Sequence, residues 1–199
     1  MTKKTEDLRF KKTEKAIRDS FFELLRSKKI SEITVAEISR TALLGRGTFY
    51  LHYRDIYDLL NTLENEYIEE IGKILDEYLP LPPADKVSEM TSKIFLYIHK
   101  NQDHFRLLFN HISPRHFVDR LIIRQKDNIE TLAKEKGLAE DEVYSTVKTS
   151  FMISGFAGVV LDYWFRGSEE WNEKDIINSL NRIILAFVTS DSKSKEDLS

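Results

Sequence analysis

Apolar residues recur along the chain at spacings of three and four, and no segment carries the period-two alternation of a half-buried strand. Ile17, Phe21, Leu24 and Leu25 form one apolar helix face over residues 10–27, with Lys11, Lys12, Lys15 and Arg18 on the other. Val35, Ile38 and Ala42 predict a short helix. Thr34 opens it and Glu37 stands three residues later, the reciprocal pair of a capping box. Leu43-Leu44-Gly45 breaks that helix, and residues 46–53 predict another short one, with Phe49 and Tyr53 turned inward. Asp55 is a cap for the next helix. Ile56, Leu59, Leu60, Leu63, Tyr67, Ile71, Ile74, Leu75 and Tyr78 predict that helix as one long element, stopped by Pro80, Pro82 and Pro83. Helical spacing continues over residues 84–100, 102–111, 114–136, 140–166 and 173–189, with Gly137 and Gly167 just past two helix ends. The expectation is an all-α chain of about nine helices, a three-helix head followed by a larger helical bundle.

Composition narrows the class. Seven glycines and four prolines in 199 residues leave little material for hairpins. The absence of cysteine excludes disulfides, thiolate metal sites and cysteine nucleophiles. The uncharged run 150–161 is too short to span a bilayer, and the N-terminal residues lack a signal-peptide apolar run. A cytoplasmic protein with no membrane partner is expected. Net charge is −3, but it is divided: residues 1–54 hold 13 Lys and Arg against 7 Asp and Glu, a balance of +6, and the remainder balances at −9. A basic head on an acidic body suits a polyanion-binding module joined to something else. The expected domains are 1–54, the basic head; 55–190, a larger helical body, the boundary being placed by the long helix itself because its first turns must pack on the N-terminal helices; and 191–199, a polar disordered tail.

Two short helices joined by a tight break behind a longer helix form a helix-turn-helix pattern. Its second short helix must enter a major groove about 12 Å wide. Arg46 can reach guanine or phosphate, and Gly47 lets the backbone approach closely. Thr48 can donate to phosphate or touch a thymine methyl, Tyr50 and His52 carry donors for phosphate, and Thr34 adds a hydroxyl beside exposed backbone N–H groups. Residues 10–60, and above all Ile33-Thr34-Val35-Ala36-Glu37-Ile38 and Gly47-Thr48-Phe49-Tyr50-Leu51-His52-Tyr53, resemble the N-terminal domain of the TetR family of bacterial transcriptional regulators. The resemblance implies a homodimer, an all-helical ligand and dimerisation domain, and usually repression relieved by an effector. Carried over position by position, Thr34, Arg46, Thr48, Tyr50 and His52 look like the DNA-contacting set. Three positions depart from the family pattern: Leu43 stands where a turn glycine is usual, Gly45 where a Ser or Asn cap is common, and Ile56 where a phosphate-binding Lys is usual. Arg54, two residues before Ile56, is the candidate substitute.

Beyond residue 80 the reading is physical. Val147, Phe151, Gly155, Gly158 and Val159, with Leu180, Ile184 and Phe187, suit either a four-helix dimer interface, the small residues permitting close approach, or burial within the monomer; the family resemblance implies the dimer interface. Tyr67, Phe95, His99, Phe105, Phe109, Phe117, Phe151 and Trp164 are the candidate lining of an effector pocket. His99/His104 and His111/His116 are spaced five apart, which does not put either pair on one helix face, so no metal site is expected. No phosphate-binding glycine loop, zinc-protease motif or nucleophile triad is visible, and no cofactor is implied. The function expected is a sequence-specific double-stranded DNA-binding regulator, a homodimeric repressor released from a palindromic operator by a small molecule. The alternative is a regulator of the same type, controlled by a partner protein and acting as an activator, with no small-molecule pocket.

Overall fold

The computed structural model describes residues 3–78, 82–136, 142–165 and 172–196. There the chain forms α1 (Lys3–Leu25), α2 (Val35–Thr41), α3 (Arg46–Tyr50), α4 (Ile56–Asp76), α5 (Val87–Lys100), α6 (Gln102–Phe109), α7 (Pro114–Lys136), α8 (Glu142–Phe165) and α9 (Glu173–Glu196). Single 3-10 turns occupy Ile30–Glu32 and Ala84–Lys86, and the described residues contain no strand. The fold is all-α, as the spacing predicts. Two ends differ from expectation. α1 starts at Lys3, seven residues before Phe10, because no glycine or proline interrupts that stretch. α9 stays helical to Glu196, into the stretch expected as a disordered tail, for the same reason. Gly137, Gly167 and Pro80 lie outside the described residues. No described helix is long and apolar enough to cross a membrane.

The chain divides into two compact units. The first takes in the chain up to Glu66 together with residues 103–111; the second takes in residues 67–102 and those from 112 on. α4 begins in the first and ends in the second. This differs from a boundary after residue 54 and from the assignment of α6 to the body. Ile56, Leu59, Leu60 and Leu63 are all buried, and they fall on the first-unit part of α4. α6 joins the same unit because His104 stacks on Phe22 of α1, ring centroids 3.9 Å apart and nearly parallel.

The core of the first unit contains Ile17, Phe21, Phe22, Leu25, Ile33, Ile38, Phe49 and Tyr53. The predicted stripe on α1 is present, although Phe22 is buried where Leu24 is only half-buried; the ring of His104 is what covers Phe22. Ile56 belongs to this core, so an apolar residue replaces the family's lysine for a packing reason. In the second unit α5 packs on α9 and α7 on α8. Val87, Met90, Ile94, Phe95 and Ile98 of α5 and Ile176, Leu180, Ile184 and Val188 of α9 are buried, each set at helical spacing.

The break after α2 is a Schellman motif. The Leu44 N–H donates to the Ser39 carbonyl at 2.8 Å and the Leu43 N–H to the Arg40 carbonyl at 3.1 Å. That geometry forces residue 43 into the left-handed region, and Leu43 has φ 57° with 91% of its surface exposed. It therefore carries backbone strain with no packing in return. Leu43→Gly should stabilise the protein by about 1 kcal/mol, the left-handed penalty of a side chain less the extra unfolded-chain entropy of glycine. Urea unfolding of the two proteins measures this; an unchanged or lowered midpoint would contradict the strain argument.

Burial pushes the His104 imidazolium below the ordinary value of 6.5, against the attraction of Asp19 and Asp103 and with the help of Arg26 and Lys15. The folded state thus prefers the neutral ring. Its contribution is present above the unfolded value of 6.5 and is lost as pH falls through the lowered folded value. Acidification from about pH 7.5 to about pH 5.5 should lower the denaturation midpoint, and His104→Phe, which keeps the ring stack without the titration, should reduce that drop. Equal drops in both proteins would remove His104 from the account.

Candidate nucleic-acid interface

α2 is held at its start by the predicted capping box. Thr34 Oγ1 accepts the Glu37 N–H at 3.2 Å, and Glu37 Oε2 accepts the Thr34 N–H at 3.0 Å. The Thr34 hydroxyl also donates to Glu37 Oε2 at 2.9 Å. Its single proton is therefore committed within the cap and is not on offer to a phosphate, a detail the motif alone does not reveal. Lys28 donates to the other oxygen of Glu37. That bond, followed by those from Thr34, holds the Glu37 carboxyl down to about 2.

α3 has five residues and is preceded by Gly45, which offers no side-chain cap. The chain keeps helical direction through Leu51, whose N–H donates to the Gly47 carbonyl at 3.2 Å. Phe49 is fully buried and meets the ring of Tyr50 edge-on at 5.7 Å. The opposite side is open: Arg46, Gly47, Tyr50 and Leu51 are exposed, and Thr48 is half-buried. A Cβ on Gly47 would meet no atom within 4 Å, so internal packing does not require glycine there.

The C-terminal flank of α3 is anchored by Arg18, which the sequence places only on a polar face of α1. Arg18 Nε donates to Tyr53 Oη at 2.9 Å, and its terminal nitrogens donate to Glu14 at 2.7 Å and to Glu66 Oε1 at 2.6 Å. Burial opposes the guanidinium charge, but the bonds to Glu66 and Tyr53 outweigh it and raise its proton affinity. Burial pushes the Tyr53 phenol up to about 12. His52 lies half-buried with its ring stacked on Phe10 at 3.9 Å, and its Nδ1 is buried without a partner. Burial lowers its proton affinity, so the ring is neutral near pH 7. Asp55 caps α4 by accepting the Asp58 N–H at 2.8 Å. Asp58 in turn accepts from the Arg54 backbone N–H at 2.9 Å and from its guanidinium at 3.1 Å. Arg54 is so exposed that water and salt screen this pair strongly.

The expected effector-pocket residues divide between the two units. Phe105 and Phe109 sit on α6, in the first unit, with rings 5.7 Å apart. In the second unit Tyr67, Phe95 and Phe117 are buried. Tyr67 meets Tyr97 edge-on at 6.5 Å, and Phe95 meets Phe156 at 5.8 Å. His99 is at the surface, 3.7 Å from Glu173, and Phe151 is 62% exposed. The side chain of Trp164 lies outside the described residues. Sequence spacing did not reveal the polar cluster between α4 and α7. Arg124 forks onto Glu69 at 3.0 and 3.2 Å and onto Asp76 at 3.1 and 2.9 Å. Asn128 adds a bond to Asp76 at 2.8 Å, and Gln125 donates to the Gly72 carbonyl at 3.2 Å. A Cβ at Gly72 would overlap the Arg124 guanidinium, so a larger residue there would have to push that side chain out of its fork. The Gln125 Oε1 is buried without a partner. Among the described residues no three His, Asp or Glu side chains converge as a metal site.

The expected dimer residues divide by face. Leu180 and Ile184 are buried on the inner side of α9. Val147 and Phe151 of α8 are exposed, as is Ile183 of α9, which sequence spacing does not single out because either apolar face of α9 fits the period. Phe151 and Phe187 stack at 5.8 Å. Gly155 and Gly158 are exposed, and a Cβ on either would meet nothing within 4 Å. Beside them Val159, Asp175, Ile176, Ser179, Leu180 and Ile183 line a shallow groove of about 270 Å³.

Comparison with known proteins adds independent information about the body. Residues 85–186, just over half of the chain, match the family model for the C-terminal region of TetR-type transcriptional regulators. The HTH-type dhaKLM operon transcriptional activator DhaS of Lactococcus lactis is 32% identical over 122 residues, which cover 57% of this chain and 63% of DhaS. The chain therefore spans less than two thirds of that relative. A TetR-family regulator from Syntrophomonas wolfei superposes with a TM-score of 0.67 at 16% identity, covering 90% of this chain and 96% of its own. A TetR regulator from Streptococcus agalactiae gives 0.59 at 22% identity, covering 92% and 99%. At those identities the two structures speak to the fold, which they share. The proteins it is similar to are regulators of transcription rather than enzymes. With the head motif at residues 33–53 and the body match at 85–186, the chain belongs to the TetR family of transcriptional regulators.

Proposed function

We propose that this regulator is a homodimer that binds a palindromic double-stranded DNA operator through its first unit. The observation that carries the reading is the open side of α3, where Arg46, Gly47 and Tyr50 stand outward while Phe49 anchors the helix from behind. In this reading Arg46 reaches guanine or phosphate, and Thr48, Tyr50 and His52 donate to phosphate oxygens. Arg54 exchanges Asp58 for a phosphate. Thr34 contributes through the backbone at the start of α2, because its hydroxyl proton belongs to Glu37. Gly47→Ala separates binding from folding. The added methyl finds open space and favours the helix by about 1 kcal/mol, so stability should rise while DNA affinity falls. Tyr50→Ala should weaken binding with little effect on stability, since the ring is 57% exposed. Fluorescence anisotropy on the gene's upstream duplex, with a salt series, measures both variants; wild-type affinity in both would sink the contact assignment.

The second copy is proposed to cover Val147, Phe151 and Ile183 and to cross α8 at Gly155 and Gly158. Nothing among the described residues fills the space over those glycines, and an apolar face beside an open small-residue crossing suits a self-complementary partner. A Cβ at the exposed Gly158 meets nothing within the single chain, so Gly158→Leu should leave helix content intact and convert dimer to monomer in sedimentation. A dimer that persists would move the interface elsewhere.

The regulation proposed is repression relieved by a small molecule held in the second unit. Tyr67, Phe95 and Phe117 are its buried aromatic candidates, and Gln125 Oε1 is a free acceptor for an effector hydroxyl or amine. A second reading, activation under the control of a partner protein, is favoured by one observation: the relative at 32% identity bears the name of an activator. Transcription in vitro from a promoter with its operator separates them by sign.

A further inference from the structure

The open side of α3 continues into one more residue, at its C-cap, that the proposed contact set does not use. Leu51 is 77% exposed, and it lies one helical turn from Gly47 and next to Tyr50 on the same open side. Its backbone is ordinary right-handed helix, so no strain or turn geometry accounts for a leucine there. Packing does not account for it either. Phe49, on the other side of the helix, fills the core, and Tyr53 is held by Arg18. An exposed leucine elsewhere on a surface is commonplace, but this one stands among the residues that would face the groove. The base edges of the major groove offer donors, acceptors and one apolar group, the thymine C5-methyl. We infer that Leu51 is a specificity-determining residue that packs on thymine methyl groups, so that each operator half-site contains a thymine read through its methyl and not through a hydrogen bond.

The inference rests on the DNA-binding reading above, and the test keeps the two apart. Operator duplexes would be selected from a randomised library with the full chain, and each thymine of the selected operator would then be replaced by uracil, one symmetric pair at a time. Uracil keeps every hydrogen-bonding group and removes only the methyl. Wild-type protein should lose about fourfold in affinity per half-site at one symmetric thymine pair, the value of one buried methyl-sized group. Leu51→Ala should bind the thymine and uracil duplexes equally, at the level of wild type on uracil, while Leu51→Met keeps the preference. Because Leu51 is exposed, both variants should fold as wild type does, and unchanged circular dichroism checks it. Discrimination that persists undiminished in Leu51→Ala assigns the methyl to another side chain and overturns the inference, as does a wild-type protein indifferent to uracil everywhere; in both cases the DNA-binding reading stands. A selection that enriches no sequence overturns that reading itself, and the inference with it.

Discussion

A five-residue helix has no stability of its own, because a first helical turn fixes many dihedral angles for few hydrogen bonds. α3 therefore exists only as its neighbours hold it. Two anchors do so: Phe49, wholly inside the first unit, and Tyr53, whose hydroxyl is gripped by Arg18. Arg18 is itself only partly exposed and is neutralised by Glu14 on its own helix and by Glu66 on α4. One guanidinium thus ties α1, the end of the α3 segment and the middle of α4 together. Removing it would leave the half-buried Glu14 carboxylate beside a phenol and across from the exposed Glu66, without a counter-ion.

The second unit repeats the device on another helix pair. Arg124 of α7 forks onto Glu69 and Asp76, and the glycine between them on α4 makes room for it. Burial works against the Asp76 charge, and the donors Arg124 and Asn128 more than restore it. Such clusters add little net stability compared with apolar packing, but they accept only one geometry. Each unit holds its own stretch of α4 by a planar fork matched to carboxylates, a task for which lysine would be a poor substitute.

Much of this was legible in the sequence because much of it is local. The capping box of Thr34 and Glu37, the Asp55 cap and the i, i+3, i+4 stripes depend on residues within one or two turns of each other, and they appear as the spacing predicts. What was illegible depends on distant partners. α6 follows α5 in the chain, yet it belongs to the first unit through the ring of His104 on Phe22, a contact between residues far apart in the sequence. The candidate pocket aromatics therefore divide between units. Leu180 and Ile184 read as an interface, but α5 already covers that side of α9, which leaves Ile183 outward. Arg18 reads as a solvated charge because its three partners lie on three segments.

The corner between α2 and α3 sets the remaining constraint. The sequence departs from the family at Leu43 and Gly45, and yet the turn keeps its Schellman hydrogen bonds. Geometry here is dictated by the packing of α2 and α3 on a shared core, and Leu43 yields to it by entering the left-handed region. Three choices weaken the corner in isolation: a strained Leu43, an uncapped start at Gly45 and a glycine in the first turn of α3. None improves packing within the chain, since Leu43 and Gly47 border open space. A chain that tolerates local cost at three positions around this open-faced helix, while anchoring it at Phe49 and Tyr53, has its rigidity at the back of α3 and its freedom at the front. That division is the one a reading helix needs: a fixed axis, and a face with a low backbone profile where a groove wall would meet it.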